Sequence, residues 1–207
     1  MGVSASPYLN RDGLFVGFLI SMTELAGAIL ALEANQCPIA VPPVFRALVE
    51  EYIHLENLKN FPDYQNQLYF DYHLSWTRMI RPESAGMRML GEIAASDGFQ
   101  EKRAAHNQQL QELKKEGYSD LPLERRFARV DQAHLYDGLY RPISQDAHPG
   151  IQHILSSTVD RDEDTFVLYG REESSRHLIM GAASLLVAGH EIVQQYLATK
   201  EASRQVA

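Results

Sequence analysis

Apolar residues recur every three or four positions along most of the chain, a period typical of amphipathic helices. Prolines, glycines and short polar turns separate the periodic segments, because these residues end helices or reverse the chain. The pattern predicts helices over residues 13–35, 43–60, 63–82, 85–95, 99–115, 120–129, 132–146 and 174–200.

Two of these helices carry apolar stripes that we expect to face the core. In the helix over residues 63–82 the stripe comprises Leu68, Tyr69, Tyr72, Leu74, Trp76 and Met79. In the last helix it comprises Leu178, Ile179, Ala182, Leu185, Leu186, Ile192, Val193 and Tyr196. The helix over 99–115 has few apolar residues, so we expect it to be solvated.

Residues 156–173 have a different pattern. A polar turn at 160–164 precedes a β-like run at 165–169, which predicts a small hairpin or an extended lid. The remaining long helices and short turns predict an all-α, up-and-down helical bundle. Since the chain has 207 residues, of which 45% are apolar, it can bury one sizeable core, and we expect a single domain over residues 1–207.

The most apolar stretch, residues 14–32, approaches the length of a membrane-spanning helix. Glu24 lies in its middle, and a carboxylate at the centre of a bilayer is costly. The flanks also lack the basic cluster and the aromatic belt that orient a membrane span. We therefore expect a core helix and no membrane contact.

The charge and the cysteine content restrict the class of protein. A net charge of −8 argues against a surface that binds duplex DNA by releasing counterions. A single cysteine, Cys37, excludes an intrachain disulfide and fits a reducing compartment. Residues 1–11 lack the features of a secretory signal, so we expect a cytoplasmic protein.

One segment, residues 140–148, indicates a catalytic site. Arg141 and His148 lie seven positions apart, about two helical turns, so a continuous helix places both on one face. An imidazole can take the proton from a ribose 2′-hydroxyl or return one to the leaving oxygen, while a guanidinium binds the phosphate. The pair therefore suits RNA cleavage without a metal. Pro142 lies between the two residues and can kink the helix.

Arg141 followed by His148 near the end of a late helix resembles the HEPN (higher eukaryotes and prokaryotes nucleotide-binding) domains. That resemblance implies a ribonuclease of a toxin, abortive-infection or CRISPR system, and a homodimer in which two such motifs form one cleft. Pro142 replaces the polar residue that usually follows the arginine in that superfamily.

A closer resemblance involves a bacterial family of uncharacterised domains. The matching residues are Arg46 and Glu50 on the second predicted helix, the run from Tyr140 to Ser144, and His148, within residues 45–153. This resemblance brings no established activity. It supports a site in which Arg141 and His148 are catalytic, and in which Tyr140, Ser144, Asp146, Arg46 and Glu50 assist.

Each of these residues also has a structural interpretation. Arg141 can pair with Asp137 or Asp146 on the surface, and His148 can cap a helix C-terminus. Arg46 and Glu50 have the spacing of an ordinary ion pair on one helix. A tyrosine such as Tyr140 is more often a core residue whose hydroxyl is hydrogen-bonded.

Three arginines, Arg125, Arg126 and Arg129, form a basic cluster shortly before this segment. They are candidates for binding a single RNA strand, although such charges more often keep a helix soluble.

A metal centre is the third alternative. Glu51 and His54 have the Glu-x-x-His spacing of di-iron carboxylate bundles, and Asp131 with His134 is a weaker analogue. A complete di-iron site needs a second Glu-x-x-His motif, which the sequence lacks. We therefore predict no metal or other cofactor.

Together these features predict a metal-independent endoribonuclease of HEPN type, with RNA as substrate and a homodimer as the assembly. The alternative from a different class is a non-enzymatic helical module that binds a partner or ligand.

Overall fold

The computed structural model describes residues 10–79, 88–146, 159–162, 165–168 and 174–206. These residues form helices α1 (Arg11–Ala34), α2 (Val41–Asn60), α3 (Tyr64–Met79), α4 (Arg88–Ala95), α5 (Asp97–Lys115), α6 (Leu123–Arg129), α7 (Ala133–Leu135), α8 (Arg141–Asp146) and α9 (Ser174–Val206). A 3₁₀ turn (Pro38–Ala40) precedes α2, and a π-helical turn (Tyr136–Tyr140) joins α7 to α8. The prediction of an all-α fold is confirmed.

The short strands β1 (Val159–Asp162) and β2 (Thr165–Leu168) are antiparallel, with Val159 opposite Leu168 and Asp162 opposite Thr165. Of the two predicted alternatives, a small hairpin and an extended lid, the paired strands correspond to the hairpin. The predicted kink at Pro82 lies outside the described residues. The helix predicted over 132–146 is divided into α7, the π-helical turn and α8.

The chain forms two compact units. Unit 1 comprises residues 1–60 and 123–207, and unit 2 comprises residues 61–122. The expectation of a single domain over residues 1–207 stays a prediction.

The core of unit 1 lies where α1, α2 and α9 pack against one another. Helix α2 runs antiparallel to α1. Two contacts show this orientation: Arg11 donates to the carbonyl of Leu58 at one end, and Ser21 donates to Glu51 further along. The largest fully buried side chains of these helices are Phe15, Met22 and Ile29 from α1, and Val41, Phe45, Leu48, Ile53, Leu55 and Leu58 from α2. The predicted stripe of α9 is confirmed at Ala182, Ile192 and Val193, which are buried.

Two glycines allow α9 to approach its neighbours closely. A Cβ atom on Gly189 would lie 2.8 Å from Cε of Met22, and one on Gly181 would lie 3.0 Å from the ring of Phe45. Glycine costs helix stability, so its presence here is explained by the close packing that it permits.

Helix α1 is divided between core and solvent. Phe15, Met22, Ala26 and Ile29 are buried, but Val16, Ile20 and Leu30 are exposed. By length and composition α1 could cross a membrane, although core helices pass the same test. The expectation of no membrane contact stays a prediction.

The predicted core face of α3 is partly wrong. Tyr72 and Met79 are 48% and 60% exposed, whereas the buried positions are Tyr64, Gln67, Phe70 and His73. Gln67 is buried because its amide donates to Asp71 and to the carbonyl of Ser119. Counting apolar residues misses polar side chains whose hydrogen bonds are satisfied inside the protein.

Helix α5 buries only Leu110 among its described side chains, as expected of a solvated helix.

An ion pair connects the start of α1 to the end of α9. Asn10 caps α1 by accepting from the backbone N–H of Gly13 at 2.9 Å. Asp12, in the first turn, accepts from the hydroxyl of Tyr196 at 2.7 Å and pairs with Lys200. Hydrogen bonds from Lys200 and Tyr196 lower the pKa of Asp12.

Asp12→Asn should lower the free energy of unfolding by about 0.5–1 kcal/mol at pH 7, as expected of a half-exposed ion pair. Because the pKa of Asp12 is lowered in the folded state, its stabilisation is present above the unfolded pKa of about 3.9 and is lost as the pH falls through the folded value. Urea unfolding should therefore show a difference between wild type and variant that shrinks below about pH 4. Glu201→Gln, on the exposed side of α9, is the matched control, and an equal loss in it would contradict the assignment.

Candidate functional site

Two residues of α2 present opposite charges on one helix face. Nε of Arg46 lies 3.0 Å from Oε1 of Glu50, one helical turn later, and the two side chains are 32% and 33% exposed. The ion pair predicted from their spacing is therefore present, at a position that solvent can reach.

Tyr140 completes a three-residue network with this pair. Its hydroxyl donates to Oε1 of Glu50 at 2.6 Å and accepts from Nε of Arg46 at 2.9 Å, although the residue is only 5% exposed. Cζ of Arg46 lies 5.5 Å from the centroid of the Tyr140 ring, within cation–π range. The network joins residues 94 positions apart in the sequence.

The hydrogen bonds of Arg46 leave part of its guanidinium unused. A guanidinium has five N–H donors, and the hydrogen bonds of Arg46 with described residues, to Glu50 and Tyr140, both use the single N–H of Nε. No side chain in the described part of the chain accepts from its Nη atoms. Arg46 is thus held in place by one edge and can offer the other edge to an anion.

The electrostatics keep Tyr140 and Arg46 protonated at neutral pH. Burial, followed by the hydrogen bond to Glu50, raises the pKa of Tyr140 to about 12. Burial alone would lower the pKa of Arg46, but the hydrogen bonds and charges of Tyr140 and Glu50 outweigh it and raise that pKa. The phenol therefore remains a hydrogen-bond donor and the guanidinium remains a cation.

Aromatic rings hold Tyr140 from its other side. Tyr136 stacks on Tyr140 with centroids 5.5 Å apart, and the buried Phe127 of α6 lies 5.3 Å from Tyr136 and 5.4 Å from Tyr140. Such ring pairs add to the stability gained by burial. Helix α6 and the π-helical turn thereby fix the ring whose hydroxyl reaches α2.

The π-helical turn has a cause in the sequence. The N–H of Arg141 bonds to the carbonyl of Tyr136, five residues earlier, and Pro142 follows directly. Proline lacks an N–H and its ring clashes with the carbonyl four residues before it, so a wider turn relieves the conflict. Such turns are frequent at functional sites.

Arg141 follows the anchored Tyr140 and points to solvent. Its side chain is 67% exposed, and Nη1 lies 3.9 Å from Oδ1 of Asp137, which is 70% exposed. The predicted surface pairing with Asp137 is thus present, although an exposed pair at this distance contributes little to stability. Next on α8, Ile143 is buried and Ser144 is half-buried.

Part of the predicted site cannot be placed. His148 lies outside the described residues, and so does the side chain of Asp146. The pairing of Arg141 with His148 stays a prediction.

The three arginines of the basic cluster on α6 do not share one helix face. Arg125 and Arg129 are exposed one turn apart, whereas Arg126 is half-buried and its charge acts on His54 of α2. Their role in RNA binding stays a prediction.

The sequence reading missed Asn57, the residue that attaches α6 to α2. Asn57 is fully buried and its amide donates to the carbonyls of Ile53 at 2.8 Å and Arg126 at 3.0 Å. The N–H of Val130 bonds to Phe127, which leaves the carbonyl of Arg126 available for Asn57. An asparagine inside the apolar face of α2 was the available signal.

The Glu-x-x-His motif does not assemble a metal centre in the described part of the chain. Glu51 accepts from Ser21 at 3.1 Å, and burial raises its pKa. The ring of His54 lies 5.4 Å from that of Phe18, and burial, with a smaller effect from Arg126, lowers its pKa to about 3. No group of three or more potential metal ligands occurs among the described residues.

Comparison with protein families assigns the chain to a family. Residues 12–166 match the family of unknown function DUF5677. The chain belongs to this family. Comparison with curated proteins and with solved structures gives no match.

The DUF5677 match confirms the expected membership of an uncharacterised family. It includes residues 45–153, over which the resemblance was found, and therefore all three members of the Arg46–Glu50–Tyr140 network. It assigns no activity to them.

Tyr140→Phe should lower the free energy of unfolding of this DUF5677 protein by about 1–2 kcal/mol, because it removes hydrogen bonds to two charged groups. Tyr136→Phe is the matched control, since it belongs to the same ring stack and its hydroxyl has no hydrogen bond with a described residue. A double-mutant cycle with Glu50→Gln, measured by urea unfolding, should give a coupling energy of about 1 kcal/mol. Equal losses in the two tyrosine variants would contradict the network.

Asn57→Leu should destabilise the protein by about 1–3 kcal/mol, because it removes the hydrogen bonds that the buried amide donates to the carbonyls of Ile53 and Arg126. Asn60→Leu, at the exposed end of the same helix, should change the stability by less than about 0.5 kcal/mol. Thermal or urea unfolding of both variants makes this comparison. Identical stabilities would show that the Asn57 hydrogen bond does not attach α6.

Proposed function

We propose that the chain is a metal-independent endoribonuclease of HEPN type, with its active site at the start of α8. The observation that carries the proposal is the contrast between two adjacent residues. Tyr140 is buried and hydrogen-bonded to α2, while Arg141 presents an exposed guanidinium. A cation on a rigidly anchored backbone is what positioned phosphate binding requires.

In this mechanism Arg141 binds the scissile phosphate through two N–H groups and stabilises the charge that develops on it. His148 acts as the general base that takes the proton from the 2′-hydroxyl, whose oxygen then attacks phosphorus. The P–O5′ bond breaks, the leaving 5′-oxygen takes a proton from water, and the imidazolium of His148 returns its proton to the solvent. The products are a 2′,3′-cyclic phosphate and a 5′-hydroxyl end, and no metal takes part.

The other residues have supporting roles. Arg46 and Glu50 position Tyr140, and the Nη edge of Arg46, from which no described side chain accepts, gives the substrate a second cation. Ser144 and Asp146 orient the catalytic pair, and the exposed Arg125 and Arg129, with Arg126 beside them, attract the RNA strand. A cytoplasmic homodimer, in which two motifs share one cleft, is the assembly that the HEPN resemblance implies.

RNA incubated with the protein in EDTA tests this function. Cleavage should persist in EDTA, and Arg141→Ala or His148→Ala should each reduce the rate by about 100-fold or more. Arg141→Lys should restore only part of the rate, because an ammonium cannot bind a phosphate bidentately. Arg176→Ala and His177→Ala, at exposed positions of α9, are the matched controls and should keep full activity.

Cleavage that survives both Arg141→Ala and His148→Ala would reject the proposal. Loss of cleavage in EDTA alone, with recovery on adding a divalent metal, would reject the metal-independent mechanism.

The second candidate is a non-enzymatic module that binds a protein or small ligand. The ion pair between Arg141 and Asp137 favours it, because a paired arginine is partly neutralised. Asp137→Asn separates the two functions. In a ribonuclease the variant should bind a non-cleavable RNA more tightly, since a competing carboxylate is removed, whereas an interaction module should show no RNA binding before or after the change.

A further inference from the structure

Unit 2 contains an imidazole pair that the proposed ribonuclease site does not use. His73 of α3 is 3% exposed, and its Nδ1 lies 2.8 Å from Nδ1 of His106 on α5. The ring centroids are 5.0 Å apart, close to the greatest separation that this N···N distance allows. The two nitrogens therefore point almost directly at each other.

Aromatic rings surround the pair. Trp76 stacks on His106 with centroids 4.6 Å apart and an interplanar angle of 7°. Tyr72 meets both imidazoles edge-on, with centroid distances of 5.3 Å. All four rings come from α3 and α5, which pack against each other.

We propose that His73 and His106 form a proton-operated latch between α3 and α5, which holds while one proton lies between the two Nδ1 atoms and opens when both nitrogens are protonated. This device lies in unit 2 and is independent of the proposed function.

The geometry favours a proton over a metal ion between the two rings. Nitrogens bound to a transition metal lie about 2.0–2.1 Å from it, so a metal placed between two opposed lone pairs needs an N···N separation of about 4 Å. The observed 2.8 Å is the length of a hydrogen bond instead. No third histidine, cysteine or carboxylate joins the pair within the described ranges to complete a metal centre.

The proton count defines two closed states and one open state. In the neutral pair, one ring carries its proton on Nδ1 and donates it to the unprotonated Nδ1 of the other. Adding one proton at Nε2 of the donor ring gives an imidazolium that still donates, so the hydrogen bond is kept. Adding a second proton places two N–H groups face to face, and the contact is lost.

The surroundings make His106 the ring that is charged first. His106 is half-buried and stacks on Trp76, which can stabilise a cation on the ring face, whereas His73 is almost fully buried. Lys102 of α5 opposes protonation of His106, and the neighbours from α3 are the uncharged rings of Tyr72 and Trp76. Helix α4, which also contacts α5, carries Glu92.

The direction of the pH effect follows from burial, which lowers the pKa of both imidazoles below 6.5. Unfolded histidines take up protons near pH 6.5, while the folded pair resists them. Unit 2 is therefore most stable above about pH 6.5, and it loses stability as the pH falls through the folded pKa values of the pair. Each imidazole kept neutral lowers the folding equilibrium constant by up to about tenfold per pH unit below that value.

Two measurements on the full chain test the latch. An NMR titration of the ring resonances should show His73 and His106 titrating below pH 6.5 in two coupled steps. The chain has a single tryptophan, Trp76, so its fluorescence should change in the same pH range. Neither measurement needs a variant, so a folding defect cannot obscure the result.

Hydrogen exchange gives a quantitative comparison. Between pH 6 and pH 5, the protection of α3 and α5 amides, after correction for intrinsic exchange, should fall in the wild type by up to about tenfold for each imidazole that stays neutral, and the fall should be smaller in His106→Asn. His177→Gln, on α9, should behave as the wild type. Independent titration of both rings near pH 6.5, or an equal loss of protection in wild type and His106→Asn, would overturn the proposal.

Discussion

A phenol that is buried must find hydrogen-bond partners, and in this protein Tyr140 finds them on a helix almost a hundred residues earlier in the chain. Its hydroxyl donates to Glu50 and accepts from Arg46, both of which remain partly open to solvent. Losing these partners inside the protein would leave a polar group unsatisfied, so the requirement fixes α8 against α2. The position of Arg141, and with it the proposed chemistry, depends on this contact.

The network also combines rigidity with available charge. Aromatic stacking by Tyr136 and Phe127 restrains the Tyr140 ring, and Glu50 compensates the charge of Arg46. The guanidinium nevertheless keeps donors that no described residue uses, and Arg141 lies next to the anchored residue. Charges on a fixed framework can bind an anion without first paying the entropy of ordering. This is the physical basis for proposing phosphate as the recognised group.

Unit 2 shows the same principle with a different outcome. His73 and Gln67 are buried polar residues of α3, and hydrogen bonds compensate the cost of burying each of them. His73 is paired with His106, and Gln67 donates to Asp71 and to the carbonyl of Ser119. The titratable pair makes its helix contact sensitive to protons, whereas the amide does not. Polar residues at such positions also explain why an apolar stripe was a poor guide to the buried face of α3.

Sequence alone determined the all-α class, most helix positions, the hairpin before the last helix and the i, i+4 pairing of Arg46 with Glu50, because periodicity and punctuation are local properties of the chain. It also singled out Tyr140 and Pro142, but it did not predict the π-helical turn that ends at Tyr140. Only the tertiary structure decided that Tyr140 bonds to Arg46 and Glu50, that Asn57 supports α6, and that His73 faces His106. These contacts join residues 33 to 94 positions apart, and their energy depends on burial and on orientation, neither of which a local pattern records.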